Sequence, residues 1–359
     1  MKLLSPLNPR FLGLAGTLFR ANVLPPRLPY RLLFFLTDRC NCRCQTCSIW
    51  KQPPRPELRL SEIEQVLGNA SAYLRWLHLS GGEMFLRPDI EDVFSLVASL
   101  RVLGILQFVT NATIPERVIR CAEIAAASSI PRIVVTLSLD GIGEDHDRRR
   151  GVPGLFEKLI RLYRELKSSF GGRVSPFLGL TVSKENQSDL PKIFRALQEG
   201  YDVPSRDVHV NFFHYAPGYY HNDPSCGLSQ EEAAAAAEFT RRQSPFLFRF
   251  TPSGWLEAKY RRYYRIFARS GRTPLPCEAL RGTVALTSVG ECRPCSMFPQ
   301  ATGLISDWEY DLARYWVSSQ RKEARKLIEA GGCPQCWTPC EAFPALLAHF
   351  FQLRRRRLG

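Results

Sequence analysis

Thiolates gathered on one short loop bind soft metals, and residues 36–50 (LTDRCNCRCQTCSIW) place four within eight positions: Cys40, Cys42, Cys44 and Cys47. Three of them, Cys40, Cys44 and Cys47, are spaced C-x3-C-x2-C. A hydrophobic core has no use for such density. Thiolates of this kind take an iron–sulfur cluster or, in a knuckle, zinc. Three ligands leave a four-iron cluster one protein ligand short, and an open position marks a reacting centre rather than a structural one. Cys42 is the extra thiol and is expected to point away. Polar residues that end later strands are the next candidates. Gly81-Gly82-Glu83 combines backbone that lets a ligand approach closely with a carboxylate that holds an ammonium group or fixes the turn. His78 is expected to alternate into strand packing. Asn111, Ser138, Asp140 and Arg150 stand at comparable places, and a second cysteine field follows at Cys277, Cys292, Cys295, Cys333, Cys336 and Cys340.

C-x3-C-x2-C after a first strand, with Gly81-Gly82-Glu83 after a second, resembles the radical S-adenosylmethionine (radical SAM) superfamily. The resemblance implies a [4Fe–4S] cluster on Cys40, Cys44 and Cys47, with the fourth iron chelated by the amino and carboxylate groups of SAM. It implies one-electron cleavage of SAM to methionine and a 5′-deoxyadenosyl radical that takes a hydrogen from a substrate, chemistry carried by the cofactors and positioned by the protein. On the same ground Gly81, Gly82 and Glu83 receive the SAM amino group, largely through backbone. Asn111 matches the family's Thr-Asn-Gly, with Ala112 in place of glycine, and makes a turn or lines the site. Ser138 hydrogen-bonds the SAM carboxylate or ribose, and Arg150 neutralises a carboxylate with its planar fork. Asp140 shapes the exit loop. The position before the last cysteine, often aromatic in the family, is Thr46, which leaves Ile49 or Trp50 to supply surface for adenine.

The run from Ser138 through His146, Arg150 and Phe156 resembles the peptide-modifying and related branch that carries a C-terminal auxiliary-cluster domain. The second cysteine field resembles a SPASM or shortened twitch domain, with six cysteines where a full SPASM domain has seven. It implies one auxiliary [4Fe–4S] cluster on Cys277, Cys295, Cys333 and Cys336, with Cys340 as a substitute for one of them and Cys292 outside the pattern. A four-cysteine zinc site has the same ligand types.

Elements of the right kind are present to position these residues. Apolar runs at 32–36, 76–79, 105–110, 133–139, 177–182 and 208–213 read as buried strands. Helical patterns separate them, at 58–67 (Ser61 as cap, Glu64 closing a capping box), 87–100 with Pro88 in the first turn, 115–127, 156–166 and 186–197. Such alternation gives a parallel sheet with right-handed crossovers, and the resemblance refines this α/β class to a partial, TIM-like (β/α)6 barrel. The cysteine loop, Gly81–Glu83, Asn111, Ser138 and Asn211 all fall at strand C-terminal ends, where barrels bind ligands. The chain divides into an N-terminal extension (1–30), a barrel core (31–215), bridging helices (216–276) and an auxiliary-cluster part with a closing helix packed on it (277–359). The aromatic, turn-rich stretch 215–225 leaves the sixth strand and is expected to cover the substrate, and 284–292 forms a short hairpin.

Composition bounds the partners. The 359 residues include twelve cysteines, mostly in metal-ligand groups, which argues against a secreted disulfide scaffold and for a reducing cytoplasm. No apolar run is long enough to span a bilayer. Residues 1–30 lack a compact signal-peptide core and read as a short helix on the barrel or, alternatively, a membrane-surface helix. The formal charge of +14, part of it from Arg354–Arg357, suits an acidic substrate or anionic lipid, and no basic module with interleaved aromatics points to specific nucleic-acid binding. The expected partners are SAM, an unidentified substrate (peptide, glycan or lipid-linked molecule) and an external electron donor such as flavodoxin or ferredoxin. The competing reading is a non-enzymatic, zinc-stabilised protein that binds acidic polymers.

Overall fold

The computed structural model describes residues 8–243 and 251–350. Six strands pair parallel and in chain order: β1 (Arg31–Phe35), β2 (Trp76–Ser80), β3 (Ile105–Thr110), β4 (Arg132–Leu139), β5 (Val174–Val182) and β6 (Val208–Phe212). Helices α2 (Leu60–Ala70), α3 (Ile90–Ala98), α4 (Pro115–Ala127), α6 (Leu155–Ser169) and α7 (Leu190–Gly200) make the crossovers, with the short α5 (Glu144–Arg150) ahead of α6. Alternation along the strands sorts the side chains. Leu32, Phe34, Leu77, Leu79, Leu106, Phe108, Val135 and Leu137 face the helices and form the main core. Phe94 packs edge-on to Phe108 at 5.1 Å. A buried side chain of this size contributes about 1.5–3 kcal/mol. The opposite, inward face carries Arg31, His78, Gln107, Ser138, His209 and Asn211 around a cavity. A curved sheet with an apolar outer face and a polar inner one is what a reaction chamber needs.

Several details depart from the sequence pattern. Helix α2 starts at Leu60, capped through Arg59 rather than Ser61. Glu62, not Glu64, closes the cap, accepting from Arg59 N at 2.8 Å and from the Tyr310 hydroxyl at 2.6 Å. The capping carboxylate is thus also held by a residue 248 positions away. Helix α3 begins two residues after Pro88, because Asp89 is spent on pairing Arg87 (3.0 and 2.8 Å). β5 starts at Val174, drawn out along β4 with Pro176 opposite Val135.

The larger surprise is the predicted hairpin. β7 (Thr283–Leu286) runs parallel beside β1, and β8 (Glu291–Arg293) and β9 (Gly303–Leu304) follow antiparallel. The sheet therefore has nine strands in the order β6-β5-β4-β3-β2-β1-β7-β8-β9. A hairpin pattern says nothing about where it docks.

The N-terminal helix α1 (Pro9–Ala21) lies against the barrel, with Arg10 donating to the Leu100 carbonyl at 3.0 Å. Helices α8 (Gln230–Arg242) and α9 (Pro252–Ser270) pack as a pair, and α10 (Leu312–Val317) and α11 (Ser319–Glu329) follow β9. The closing helix was expected on the auxiliary part. The helix α12 (Pro339–Ala348) packs on α9 and α1 as well, and the charge of its Glu341 acts on Cys277, Cys295 and Cys336. Its Phe343 ring lies 5.3 Å from His209 of β6, and its Cys340 reaches Arg31 of β1, so α12 closes the side of the barrel between those strands. Arg354–Arg357 and the end of the closing segment lie outside the described residues.

Candidate functional site

The cysteine loop is held by the ends of its neighbours. Gly82 N donates to the Thr37 carbonyl at 2.7 Å, Glu83 N to that of Arg39 at 2.8 Å, and Arg43 N to that of Arg150 at 2.8 Å. Ser48 N donates to the Tyr220 carbonyl at 3.0 Å. Buried Arg87 braces the loop's entry through the carbonyls of Leu36 (2.9 Å) and Leu58 (3.1 Å). Cys40, Cys44 and Cys47 line the main cavity. Cys42 does so as well, contrary to expectation. Its single S–H can donate to Cys40 or to Cys44, each within hydrogen-bonding reach of it. Such donation holds the Cys40 thiol down at about 6 and lowers Cys44, against the upward pull of burial and with help from the Arg150 charge. Burial pushes Cys47 up to about 12.

Gly81 and Gly82 form the facing wall, and the turn depends on both. Gly81 has φ +143°, and a Cβ on Gly82 would lie 2.2 Å from the Arg39 carbonyl oxygen. That overlap with backbone has no flexible side chain to relieve it. Gly82→Ala is expected to cost about 3 kcal/mol or more, read as a fall in the urea midpoint. Gly68→Ala, on α2 with open space around it, should be neutral or stabilising by up to about 1 kcal/mol. Equal behaviour of the two variants would remove the steric argument.

The remaining predicted residues divide. Glu83 does not line the cavity. It is buried behind the turn, accepting from Asn111 N (2.6 Å), Thr110 Oγ1 (3.1 Å) and Phe85 N (3.4 Å), so of its two candidate roles it performs the turn-fixing one. Burial there raises its carboxyl to about 7. Asn111 lines the site, its Nδ2 donating to Asn41 Oδ1 at 2.9 Å and pointing at the Cys40 sulfur at 3.9 Å. Ala112 after it has φ 65°, the left-handed conformation that the family's glycine would adopt freely. Ser138 faces the cavity beside Gly179. Arg150 is buried against the cysteines and pairs with Asp140 at 2.8 Å. Asp140 also shapes the exit, its carbonyl accepting from Arg149 and Asn186, both at 3.0 Å. Thr46 and Ile49 line the cavity; Trp50 instead donates from its indole to the Cys47 carbonyl at 3.0 Å. Tyr220 and Asn222 of the 215–225 stretch also line the cavity.

The second field also separates. Cys277, Cys295, Cys333 and Cys336 share one small cluster with Ala216, Met297 and Phe298. Burial raises the thiols of Cys277 and Cys295, with the Glu341 and Cys336 charges adding to it, and raises Cys336 to about 12. Cys292 belongs to the main core. Cys340 faces the main cavity beside Arg31. Among the described residues no three His, Cys, Asp or Glu side chains converge as they would on one metal ion. A four-iron cluster, with its ligands spread over the corners of a cube, does not require that. Three thiols at one cavity wall, two of them lowered and a guanidinium beside them, fit such a cluster. So do four thiols in a second group, Cys295 and Cys336 buried and Cys277 and Cys333 half-buried.

Sequence reasoning missed Arg31, His209 and Arg87, and placed His78 in strand packing. His78 in fact lines the cavity, as do Arg31 and His209. The available signal was alternation. Val208-His209-Val210-Asn211-Phe212 and Trp76-Leu77-His78-Leu79-Ser80 each put a polar series on one face.

Residues 34–197 match the model of the radical SAM superfamily. An AdoMet-dependent heme synthase of Methanosarcina barkeri is 34% identical over 181 residues, covering 48% of each chain. A pre-heme d1 synthase of Dinoroseobacter shibae is 33% identical over 178 residues, 48% of this chain and 41% of that protein. The chain thus spans about half the length of these curated relatives. The crystal structure of Streptococcus suis SuiB bound to S-adenosylmethionine superposes with a TM-score of 0.59 at 17% identity, covering 87% of this chain and 71% of that one, a likeness of fold.

Proposed function

Because residues 34–197 match the radical SAM superfamily model, we propose that the chain is a radical SAM oxidoreductase or maturase that cleaves SAM reductively and abstracts hydrogen from a substrate in the barrel cavity. The observation that carries this is the meeting of Cys40, Cys44 and Cys47 with Gly81, Gly82, Ser138 and Arg150 around one cavity. Bound there, a [4Fe–4S] cluster and SAM supply one-electron cleavage to a 5′-deoxyadenosyl radical. The chain's residues do the rest. Cys40, Cys44 and Cys47 are the cluster ligands, and Arg150 offsets thiolate charge as well as receiving a carboxylate. Gly81 and Gly82 offer backbone to the SAM amino group, with Glu83 holding their turn from behind. Asn111 and Ser138 present hydrogen bonds to the rest of SAM, and Tyr220 with Asn222 keeps water from the cavity. The substrate is a peptide, a glycan or a lipid-linked molecule.

Cys277, Cys295, Cys333 and Cys336 hold an auxiliary [4Fe–4S] cluster in a SPASM- or twitch-like part, and an external flavodoxin or ferredoxin supplies the electron. Anaerobically reconstituted, reduced protein given SAM is expected to release 5′-deoxyadenosine. Anaerobic isolation with zinc but neither iron nor sulfide, and no such release, would establish the zinc-protein reading instead.

The protein works in the cytoplasm, at the membrane surface. No described helix is long and apolar enough to cross a membrane. However, α1 and the turn after it expose Leu12, Phe19, Val23 and Leu24 beside Arg10 and Arg20, a composition that suits the headgroup boundary of an anionic bilayer. Flotation with vesicles containing phosphatidylglycerol should carry the protein up, and replacing these four residues by Ser should leave it at the bottom. Equal flotation of both proteins would sink the surface assignment.

A further inference from the structure

We propose that the floor of the barrel holds an anionic group of the substrate, a carboxylate or a phosphate, on three nitrogen donors supplied by Arg31, Trp76 and His78. This deepens the reading above and rests on it for the identity of the bound molecule as substrate. β1 and β2 pair with Arg31 opposite Trp76 and Leu33 opposite His78, which puts Arg31, Trp76 and His78 on the same inward face. All three line the cavity while being only 1%, 5% and 4% exposed.

Their hydrogen bonding is incomplete in one consistent direction. Arg31 Nη2 lies 3.2 Å from His78 Nδ1. Arginine has no acceptor atom, so Nδ1 must accept. Burial and the Arg31 charge keep His78 neutral, which leaves its one ring proton on Nε2. Arg31 Nε, Trp76 Nε1 and His78 Nε2 are then three N–H donors, each buried and each without a partner. A buried donor left unmatched is costly, and native structures rarely leave three together.

Among the described residues Arg31 makes no ion pair. It bonds the Cys340 sulfur, and Glu341 feels its charge from beyond ion-pair distance. Arg150 differs, since Asp140 sits 2.8 Å from it. The Arg31 guanidinium lies over the Trp76 ring, 4.8 Å from its centroid, which fixes the plane in which it offers hydrogen bonds. A pocket with three donors and a fixed cation selects an anion.

There is room for one. The cavity encloses ≈ 280 Å³ and runs from Arg31 to the cysteine loop. Gly179 in the wall lets Thr136 pack close, for a Cβ there would lie 2.6 Å from the Thr136 methyl. A molecule anchored at the floor by its anionic end points its other end at Ser138 and the cysteines.

The test is a fluorine NMR titration of the anaerobically reconstituted full chain with 4-fluorobenzoate, 4-fluorophenyl phosphate and neutral 4-fluorobenzamide. At least one anionic probe should bind saturably and at least tenfold more tightly than the amide, and the tighter of the two names the group. Arg31→Gln should weaken that binding at least tenfold and Arg31→Lys less. Trp76→Phe, which removes one donor and keeps a ring, should weaken it severalfold and serves if Arg31→Gln does not fold. Equal binding of anion and amide, unchanged binding in folded Arg31→Gln, or displacement of the probe by SAM would each overturn the assignment. The readout is binding, not turnover, and a Cys40/Cys44/Cys47→Ala protein should bind the probe as well as the parent. Loss of probe binding therefore leaves SAM cleavage standing, and failure of SAM cleavage leaves the anion site standing.

Discussion

Replacing Cys40, Cys44 or Cys47 by Ala, one at a time, is expected to abolish 5′-deoxyadenosine release from reduced, reconstituted protein, whereas Cys42→Ala should keep most of it. The size of the effect follows from position. Removing a group that only orients a metal ligand costs about 10–100-fold, so removing a ligand that no other side chain replaces should cost roughly a thousandfold or more by the same scale. Cys42 makes the comparison informative. It is as buried as any core residue and lies within hydrogen-bonding reach of Cys40 and Cys44, yet it falls outside the C-x3-C-x2-C spacing. Chromatographic assay of 5′-deoxyadenosine, with iron and sulfide counted on each variant, decides the matter. Full activity in Cys44→Ala, or loss in Cys42→Ala equal to that in the other three, would overturn the ligand assignment.

Second in size is the effect at the other cysteine field. Cys277→Ala, Cys295→Ala, Cys333→Ala and Cys336→Ala should each lose about half of the bound iron and unfold at markedly lower temperature, while Cys340→Ala should keep its iron. Metal binding to thiolates that form a site only in the folded chain is folding free energy, on the order of 10 kcal/mol for four-ligand sites. The division between the four and Cys340 comes from placement. The four share one cluster of side chains, and Cys340 stands in the main cavity beside Arg31. Iron analysis and thermal scans on the five variants test it. Iron lost from Cys340→Ala and kept in Cys336→Ala would move the site.

Much of this arrangement was legible in the residues, for identifiable reasons. Strand and helix order followed from apolar runs and their spacing, and α4 (Pro115–Ala127) was readable at both ends because Pro115 opens it and the Ala-rich run closes before Ser128. The cysteine loop and Gly81-Gly82 were readable because metal ligation and close backbone approach restrict residue type. Contacts distant in sequence were not. Glu62 caps α2 with the Tyr310 hydroxyl bonded to it, β7 pairs with β1 on one side and β8 on the other, and α12 packs on α9 and α1. Arg31 escaped notice for a related reason. An arginine at the head of Leu32-Leu33-Phe34-Phe35 reads as a solvated strand end, and only the pairing with Trp76 places it inside.

The seat of β7 beside β1 bears on whether the two halves of the chain can be separated. β1 carries the cysteine loop at its end, and it is an interior strand only because β7 covers its outer side. Cutting the chain before Cys277 would leave an apolar strand with a row of unpaired amides and carbonyls at the sheet's rim, a template for pairing with other chains. The barrel and the C-terminal cysteines are therefore one cooperative unit. A shortened barrel would fail by self-association before any question of chemistry arose, and a change at the C-terminal cysteines would be felt at the first cysteine loop through a single shared strand.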